Sequence, residues 1–375
     1  MKRLALVLLV TTCHLAAATA AFAAAPPQPD ARAWLVENAA TGEVLASHDA
    51  DAQLPIASIT KLMTVLVVLD HLRLTDVVTV DPRVTKVGQE SLNLRVGETF
   101  TVRELLKGVL IQSANDAADT LAFSVAPDYG AFADLMNAKA RQLGLTDSHF
   151  VRPDGLDTPD QYASARDVTR LALAAMRIPI VREYVGETDD TIAGGPVVHT
   201  WNDLLGVLPG VFGVKTGHTA AAGWSQVAAD RAGGVTVYAT ILGSPSRAQR
   251  NDDLTRLLVW GLSQYRSANV ISDRRTYATA RLPFGRAAPD LVAAQPVLEV
   301  VRVGRPLTER VVAPRVVPLP VRQGQVLGRV EVWNGDRLLA SRPLVASRSV
   351  PLPSTAGRLR WYAKRTVHHL IGFFI

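Results

Sequence analysis

The sequence predicts an α+β domain, an all-β sandwich module behind it, and an amphipathic helix at the C-terminus. Three features of the chain support this. Helical apolar runs near 61–69, 102–111, 132–143, 164–175 and 253–264 alternate with strand-like runs at 33–37, 44–47, 211–217 and 234–242. From about residue 267 the pattern changes to short β-branched pieces punctuated by Gly and Pro. After Asp336 no acidic residue remains, and the last residues separate into an apolar and a basic side on a helical wheel.

Taken in order, residues 1–23 read as a secretory leader. Lys2 and Arg3 precede an apolar run from Leu4, and Ala21-Phe22-Ala23 offers a small-x-small cleavage site. A membrane-spanning anchor is the competing reading, but the run is short and gives way to Ala/Pro-rich sequence. The single cysteine, Cys13, lies in this leader, so no disulfide is expected after export. Ala33–Glu37 and Val44–Ser47 then read as a hairpin around Thr41-Gly42. Next comes a helix that is apolar nearly all round, as a buried one is.

That helix opens with Ser58-Ile59-Thr60-Lys61. Spacing i, i+3 on a helix puts both side chains on one face. A serine hydroxyl needs a base to become a nucleophile. A lysine can be that base if burial or neighbouring cations lower its pKa. Val102–Ile111 reads as a helix that runs into Ser113-Ala114-Asn115, two short polar side chains at a helix end. Val211–Gly217 reads as a strand that enters Lys215-Thr216-Gly217. Singly, each motif is as readily a helix start or a strand end. Together and in this order they form a recognised catalytic set.

Phe132–Leu143, stopped by Gly144, is an amphipathic helix, and Asp253–Gln264 a long one. Asn334-Gly335-Asp336 marks a hairpin in the β-rich part. The net charge of +6 is spread along the chain without a nucleic-acid motif, and hydrophobic content of 48% suffices for a packed core.

With the three motifs placed, the chain resembles the low-molecular-mass penicillin-binding proteins that are D-alanyl-D-alanine carboxypeptidases, over nearly its whole length. Residues 54–64, Ser113–Ala117 and Gly213–Thr219 look like the family's segments throughout; Ser164 and Trp224 depart from its commoner residues. The resemblance implies a penicillin-binding/serine β-lactamase-like domain, an antiparallel sheet flanked by helices, over 24–266. A β-sandwich over 267–352 and a membrane-anchor helix over 353–375 would follow. It also implies acyl transfer. Ser58 attacks the penultimate D-alanine carbonyl of a peptidoglycan stem pentapeptide, Lys61 takes its proton, and Ser113 relays a proton to the leaving amine. Asn115, Lys215, Thr216, Gly217 and His218 bind substrate, with the His218 N–H in the oxyanion hole. No metal or organic cofactor is implied. The implied partners are the stem peptide, β-lactam antibiotics and the lipid surface of the inner membrane, on its periplasmic face.

Alternatives stay open at this point. One is an endopeptidase that cuts cross-links, and another a wall-binding scaffold with a dead site. A β-lactamase of class A would need a Glu-x-x-Leu-Asn loop between Ser113 and Lys215, and none occurs. In the tail, Leu359, Trp361, Tyr362, Lys364, Leu370, Phe373 and Phe374 are the candidate membrane contacts. The competing reading is a helix docked on the β-module. Oligomeric state is not legible.

Overall fold

The computed structural model describes residues 8–15, 24–86, 90–192 and 196–371. The chain divides into two compact units, Ala24–Gln264 and a second made of Met1–Ala23 with Tyr265–Ile375.

In the first unit, strands β1 (Ala33–Asn38) and β2 (Glu43–His48) form the hairpin that Gly42 turns at φ 69°. Strands β3 (Val211–Thr219), β4 (Gly223–Ala232) and β5 (Val235–Ser244) complete a five-stranded antiparallel sheet in the order β2-β1-β5-β4-β3. β3, which carries Lys215-Thr216-Gly217, is therefore an edge strand.

The helices are α1 (Lys61–His71), α2 (Val102–Lys107), α3 (Asn115–Val125), α4 (Tyr129–Leu143), α5 (Ala165–Ala175), α6 (Pro179–Val185) and α7 (Arg247–Ser263). α5 and α7 cover the sheet, and α1 packs among α3, α4 and α5. Every α1 residue from Lys61 to Val68 is buried, as its all-round apolar character predicts. Ser164 caps α5 by accepting from the Asp167 N–H at 3.1 Å.

Two of the boundaries that differ from the sequence reading bear on the site. α2 stops at Lys107, and the chain widens into a π-turn over Gly108–Gln112 before reaching Ser113 at φ 69°. Gly108 packs close under Leu92 there, where an added Cβ would stand 2.6 Å from the Leu92 side chain. α7 starts at Arg247, six residues before the apolar pattern begins. Ser246 caps a polar first turn there, accepting from the Gln249 N–H at 3.1 Å.

In the second unit, β6 (Tyr265–Ile271) pairs with β9 (Val297–Arg302). The other strands are β7 (Thr276–Thr279), β8 (Asp290–Ala293), β10 (Leu307–Pro314), β11 (Val326–Asn334) and β12 (Arg337–Ala346). They join the leader segment Leu8–Leu15 in a sheet of order Leu8–Leu15, β10, β11, β12, β8, β7. The two sheets enclose Val270, Ile271, Val301, Val311, Val330, Val332 and Leu344, so the module is a sandwich. The Asn334-Gly335-Asp336 turn joins β11 to β12. The apolar run of the leader thus lies along the β10 edge, from Leu8 opposite Pro314 to Leu15 opposite Leu307. The rest of the leader reading, residues 1–7 and 16–23, falls outside the described residues.

Helix α8 (Thr355–Ile371) ends the described chain. Trp361 and Tyr362 meet the Phe284 ring edge-on, at centroid distances of 5.5 and 5.9 Å. Trp361 is consequently half-buried on the β-module, whereas Leu359 and Tyr362 remain 66% and 56% exposed. Phe373, Phe374 and the side chain of Leu370 lie outside the described residues.

Candidate active site

Ser58 stands on a 3-10 turn, Ala57–Thr60, that leads directly into α1. Lys61 follows one turn later and is fully buried. Its Nζ donates to Ser58 Oγ at 2.7 Å, to Asn115 Oδ1 at 2.6 Å and to the Asp154 carbonyl at 2.6 Å. All three ammonium hydrogens therefore have acceptors. Burial pushes the Lys61 pKa down to about 8, although Asp154, Glu90, Asp119 and Asp116 hold it up in part. The main cause is desolvation. The cationic neighbour expected from sequence acts in the other direction, because repulsion from Lys61 adds to the burial that brings Lys215 down to about 7.

Lys215 is buried on β3 and donates to Ser113 Oγ at 2.9 Å and to the Thr216 carbonyl at 3.0 Å. The π-turn and the left-handed conformation of Ser113 aim its hydroxyl at this lysine, while Asn115 at the start of α3 reaches Lys61. The structure thus brings Ser58, Lys61 and Asn115 into one hydrogen-bonded group and pairs Ser113 with Lys215.

Two glycines permit the close approach of the surrounding backbone. An added Cβ on Gly217 would stand 2.6 Å from the Ile56 carbonyl oxygen, so only glycine lets β3 pass this near the Ser58 turn. Gly155, at φ +84°, lies against Ala57 so tightly that a Cβ would meet its carbonyl oxygen at 2.2 Å. That contact seats the Pro153-Asp154-Gly155 loop, whose Asp154 carbonyl holds Lys61. Thr64 Oγ1 donates to the Pro153 carbonyl at 2.6 Å and fixes the same loop.

A narrow cleft, with room of about 20 Å³, lies beside Ser113 and Thr216 and is lined also by Glu90, Trp201, Gly217, His218, Trp224, Arg247 and Arg250. His218 on β3 stacks on Trp224 across the β3–β4 pair at 4.0 Å, so Gly217 and His218 line the cleft together. Arg250 is only 1% exposed, and burial lowers its pKa to about 10. It donates to Asp203 at 3.1 Å and to Asn251 at 2.7 Å. Arg250, Lys215 and Thr216 give the cleft the means to hold a carboxylate.

Arg250, Glu90 and the Asp154 carbonyl were missed in the sequence. Arg250 lies in the polar first turn of α7, and the only local sign of the loop is Pro153-Asp154-Gly155 itself.

The sequence model of peptidase family S11, D-alanyl-D-alanine carboxypeptidase, matches residues 20–246. Among curated proteins, the chain is 31% identical over 372 residues to the D-alanyl-D-alanine carboxypeptidase DacC of Escherichia coli, covering 92% of this chain and 90% of DacC. It is 27% identical over 369 residues to DacF of Bacillus subtilis, covering 93% of this chain and 95% of DacF. Among solved structures, penicillin binding protein 6B from Escherichia coli is similar with a TM-score of 0.64 and 27% identity, over 88% of this chain and 99% of that one. Penicillin-binding protein D2 from Listeria monocytogenes, in its ampicillin-bound form, has a TM-score of 0.57 and 30% identity, over 62% of this chain and 98% of that one.

Proposed function

The chain belongs to the D-alanyl-D-alanine carboxypeptidase family, and from that premise we propose how its own residues carry the reaction. It is a serine-type D-Ala-D-Ala carboxypeptidase of cell-wall peptidoglycan that also binds penicillin covalently. The observation that carries the assignment of roles is the 2.7 Å contact between a buried Lys61 Nζ and Ser58 Oγ.

With Lys61 in its free-base form, Ser58 Oγ attacks the carbonyl of the penultimate D-alanine and its proton passes to Nζ. The N–H groups of Ser58 and His218 receive the oxyanion, and one such donor is worth roughly 10²–10³ in rate. Ser113, hydrogen-bonded to Lys215, delivers a proton to the departing D-alanine amine. Water then hydrolyses the ester. Asn115 holds the substrate amide. Arg250, Thr216 and Lys215, whose ammonium form the incoming anion itself favours, read the terminal carboxylate. An extended peptide lying along the open edge of β3 suits this geometry.

The leader delivers the catalytic unit, 24–266, out of the cytoplasm. The sandwich, 267–352, carries the tail helix, 353–375, to the periplasmic surface of the inner membrane. Among the described residues no helix is long and apolar enough to cross a membrane, so attachment would be peripheral. The distinguishing experiment is product analysis on pentapeptide and cross-linked muropeptides. Release of one D-alanine per pentapeptide is expected. Cutting of the cross-link in its place would mean an endopeptidase, and no covalent penicillin adduct would mean a scaffold.

A further inference from the structure

On α3, which packs against α1, is a carboxyl group that interacts with Lys61 and that the mechanism above does not use. Asp119 is on α3, one turn beyond Asn115, the residue whose Oδ1 accepts from Lys61. Positions i and i+4 share a helix face, so Asp119 and Asn115 point the same way. Asp119 is fully buried. Its Oδ2 accepts from the Tyr129 hydroxyl of α4 at 2.6 Å, and its Oδ1 has no partner among the described residues.

The charges around it are already committed. From the loop after α4, Arg152 makes a two-point contact with Asp154, at 2.5 and 3.1 Å, with its guanidinium 4.8 Å from the centre of the Tyr129 ring. On α3 itself, Asp116 accepts from Ser91 and from the N–H groups of Leu92 and Leu94. Beyond Phe123 and Tyr129, Arg83 is paired with Asp81. From α1 comes Lys61, which also faces Asp154, Glu90 and Lys215. No cation is thus dedicated to Asp119. A buried carboxylate with one bare oxygen costs more than the neutral acid in the same place.

We propose that Asp119 is a positioning residue that holds a proton in the resting enzyme and, by releasing it, restrains Lys61 from becoming the free base. Burial and the neighbouring Asp154 raise its pKa to about 7, just below that of Lys61. The sign follows from Coulomb's law. Below this range Asp119 is neutral and does nothing to retain the Lys61 proton. As pH rises Asp119 becomes negative, favours the ammonium form of Lys61, and moves its deprotonation to higher pH. The two groups titrate as a pair, so the acid limb of acylation is broadened and displaced upward.

This inference rests on Lys61 as the base, and the test separates the two claims. Acylation of the full chain by a fluorescent penicillin is followed from about pH 5 to 9.5. The wild type should show an acid limb, and a flat profile would remove the base role itself. Asp119→Asn keeps the shape but cannot ionise. Its limb should steepen and its midpoint fall by roughly one unit, as a charge pair separated by buried side chains would give. A lower rate with an unmoved midpoint would mean a structural role only, and would overturn the proposal. Should Asp119→Asn fail to fold, Tyr129→Phe removes the hydroxyl that stabilises the carboxylate and keeps the ring. Asp119 then stays protonated to higher pH, and the midpoint should again move down, by less. An unmoved limb in that variant would also overturn the proposal. Infrared difference spectra supply a reading independent of rate: a protonated buried carboxyl present in the wild type at about pH 6 should vanish in Asp119→Asn.

Discussion

The two units both bury charge, and they do it differently. In the catalytic unit Lys61, Lys215 and Arg250 are all but inaccessible, yet each points at a cleft or at another functional group. Burial drives all three pKa values down. In the β-module the buried charges among the described residues are Glu309 and Glu331, and each is matched by an arginine that reaches in from the surface, Arg275 and Arg329. The first arrangement gives Lys61 and Lys215 neutral oxygens as partners, so they can exchange protons, and holds Arg250 beside the cleft through Asp203 and Asn251. The second completes its pairs and leaves nothing reactive. Buried charge therefore marks chemistry only where the pairing is incomplete and a cavity adjoins it.

The hardest test of this contrast is Ser58→Ala. The change removes one buried oxygen next to Lys61 and little packing. Peptide hydrolysis and covalent penicillin labelling should both fall by roughly 10⁴-fold or more, with thermal stability close to wild type. Labelling that persists at the wild-type rate would place the nucleophile elsewhere. Arg250 comes next in size. Arg250→Gln should reduce kcat/KM for a free C-terminal carboxylate by roughly 10- to 100-fold, the worth of a charge-assisted contact. It should barely change the rate on the C-terminal amide. Equal losses on both substrates would show that Arg250 supports the fold through Asp203 and does not read the carboxylate.

How much of this was legible depended on sequence distance. Ser58 and Lys61 are one helical turn apart, so local periodicity alone put them together. The Ser113–Asn115 and Lys215–Gly217 motifs are short enough to recognise, although only the fold brings Lys215 Nζ to Ser113. The π-turn at Gly108 was hidden, because an apolar run reads the same whether the turn has the α or the wider π spacing. Asp154 acts through its backbone carbonyl, which has no side-chain signature. Arg250 lies in a polar stretch without helical periodicity, and Asp119 resembles any acidic residue near a helix start. Both acquire meaning only from burial, which comes from contacts distant in sequence.

On the β-module side, Arg275→Ala should leave acylation unchanged while lowering stability. Glu309 would keep its burial and lose the bidentate partner that favours its charged form. Since Arg275 is 45% exposed at its side chain, solvent screens much of the pair. The expected loss is about 1 kcal/mol, or a few degrees in Tm. A loss of activity without a loss of Tm would mean that the module takes part in the chemistry.

The smallest effect on turnover is expected from the tail. Truncation after Pro353 should not alter hydrolysis of a small soluble peptide, because Ser58, Lys61, Ser113, Asn115, Asp154 and Lys215 all come from Ala24–Gln264. It should abolish binding to anionic vesicles at low salt. Leu359 and Tyr362 are open to solvent on α8, with Arg358, Arg360, Lys364 and Arg365 along the same helix. Each basic residue near an anionic surface contributes about 1 kcal/mol, screened by salt. The contact of Trp361 and Tyr362 with Phe284 fastens the first half of the helix to the β-module. A docked helix and an anchor therefore make different predictions for Phe284→Ala. If docking is the whole role, this variant loses stability and full-length protein ignores the vesicles. If the helix is an anchor, releasing Trp361 adds an aromatic to the membrane face and vesicle binding is kept or strengthened. Full-length protein that stays in solution with both the wild-type residue and Ala at 284 would leave α8 as part of the β-module and nothing more.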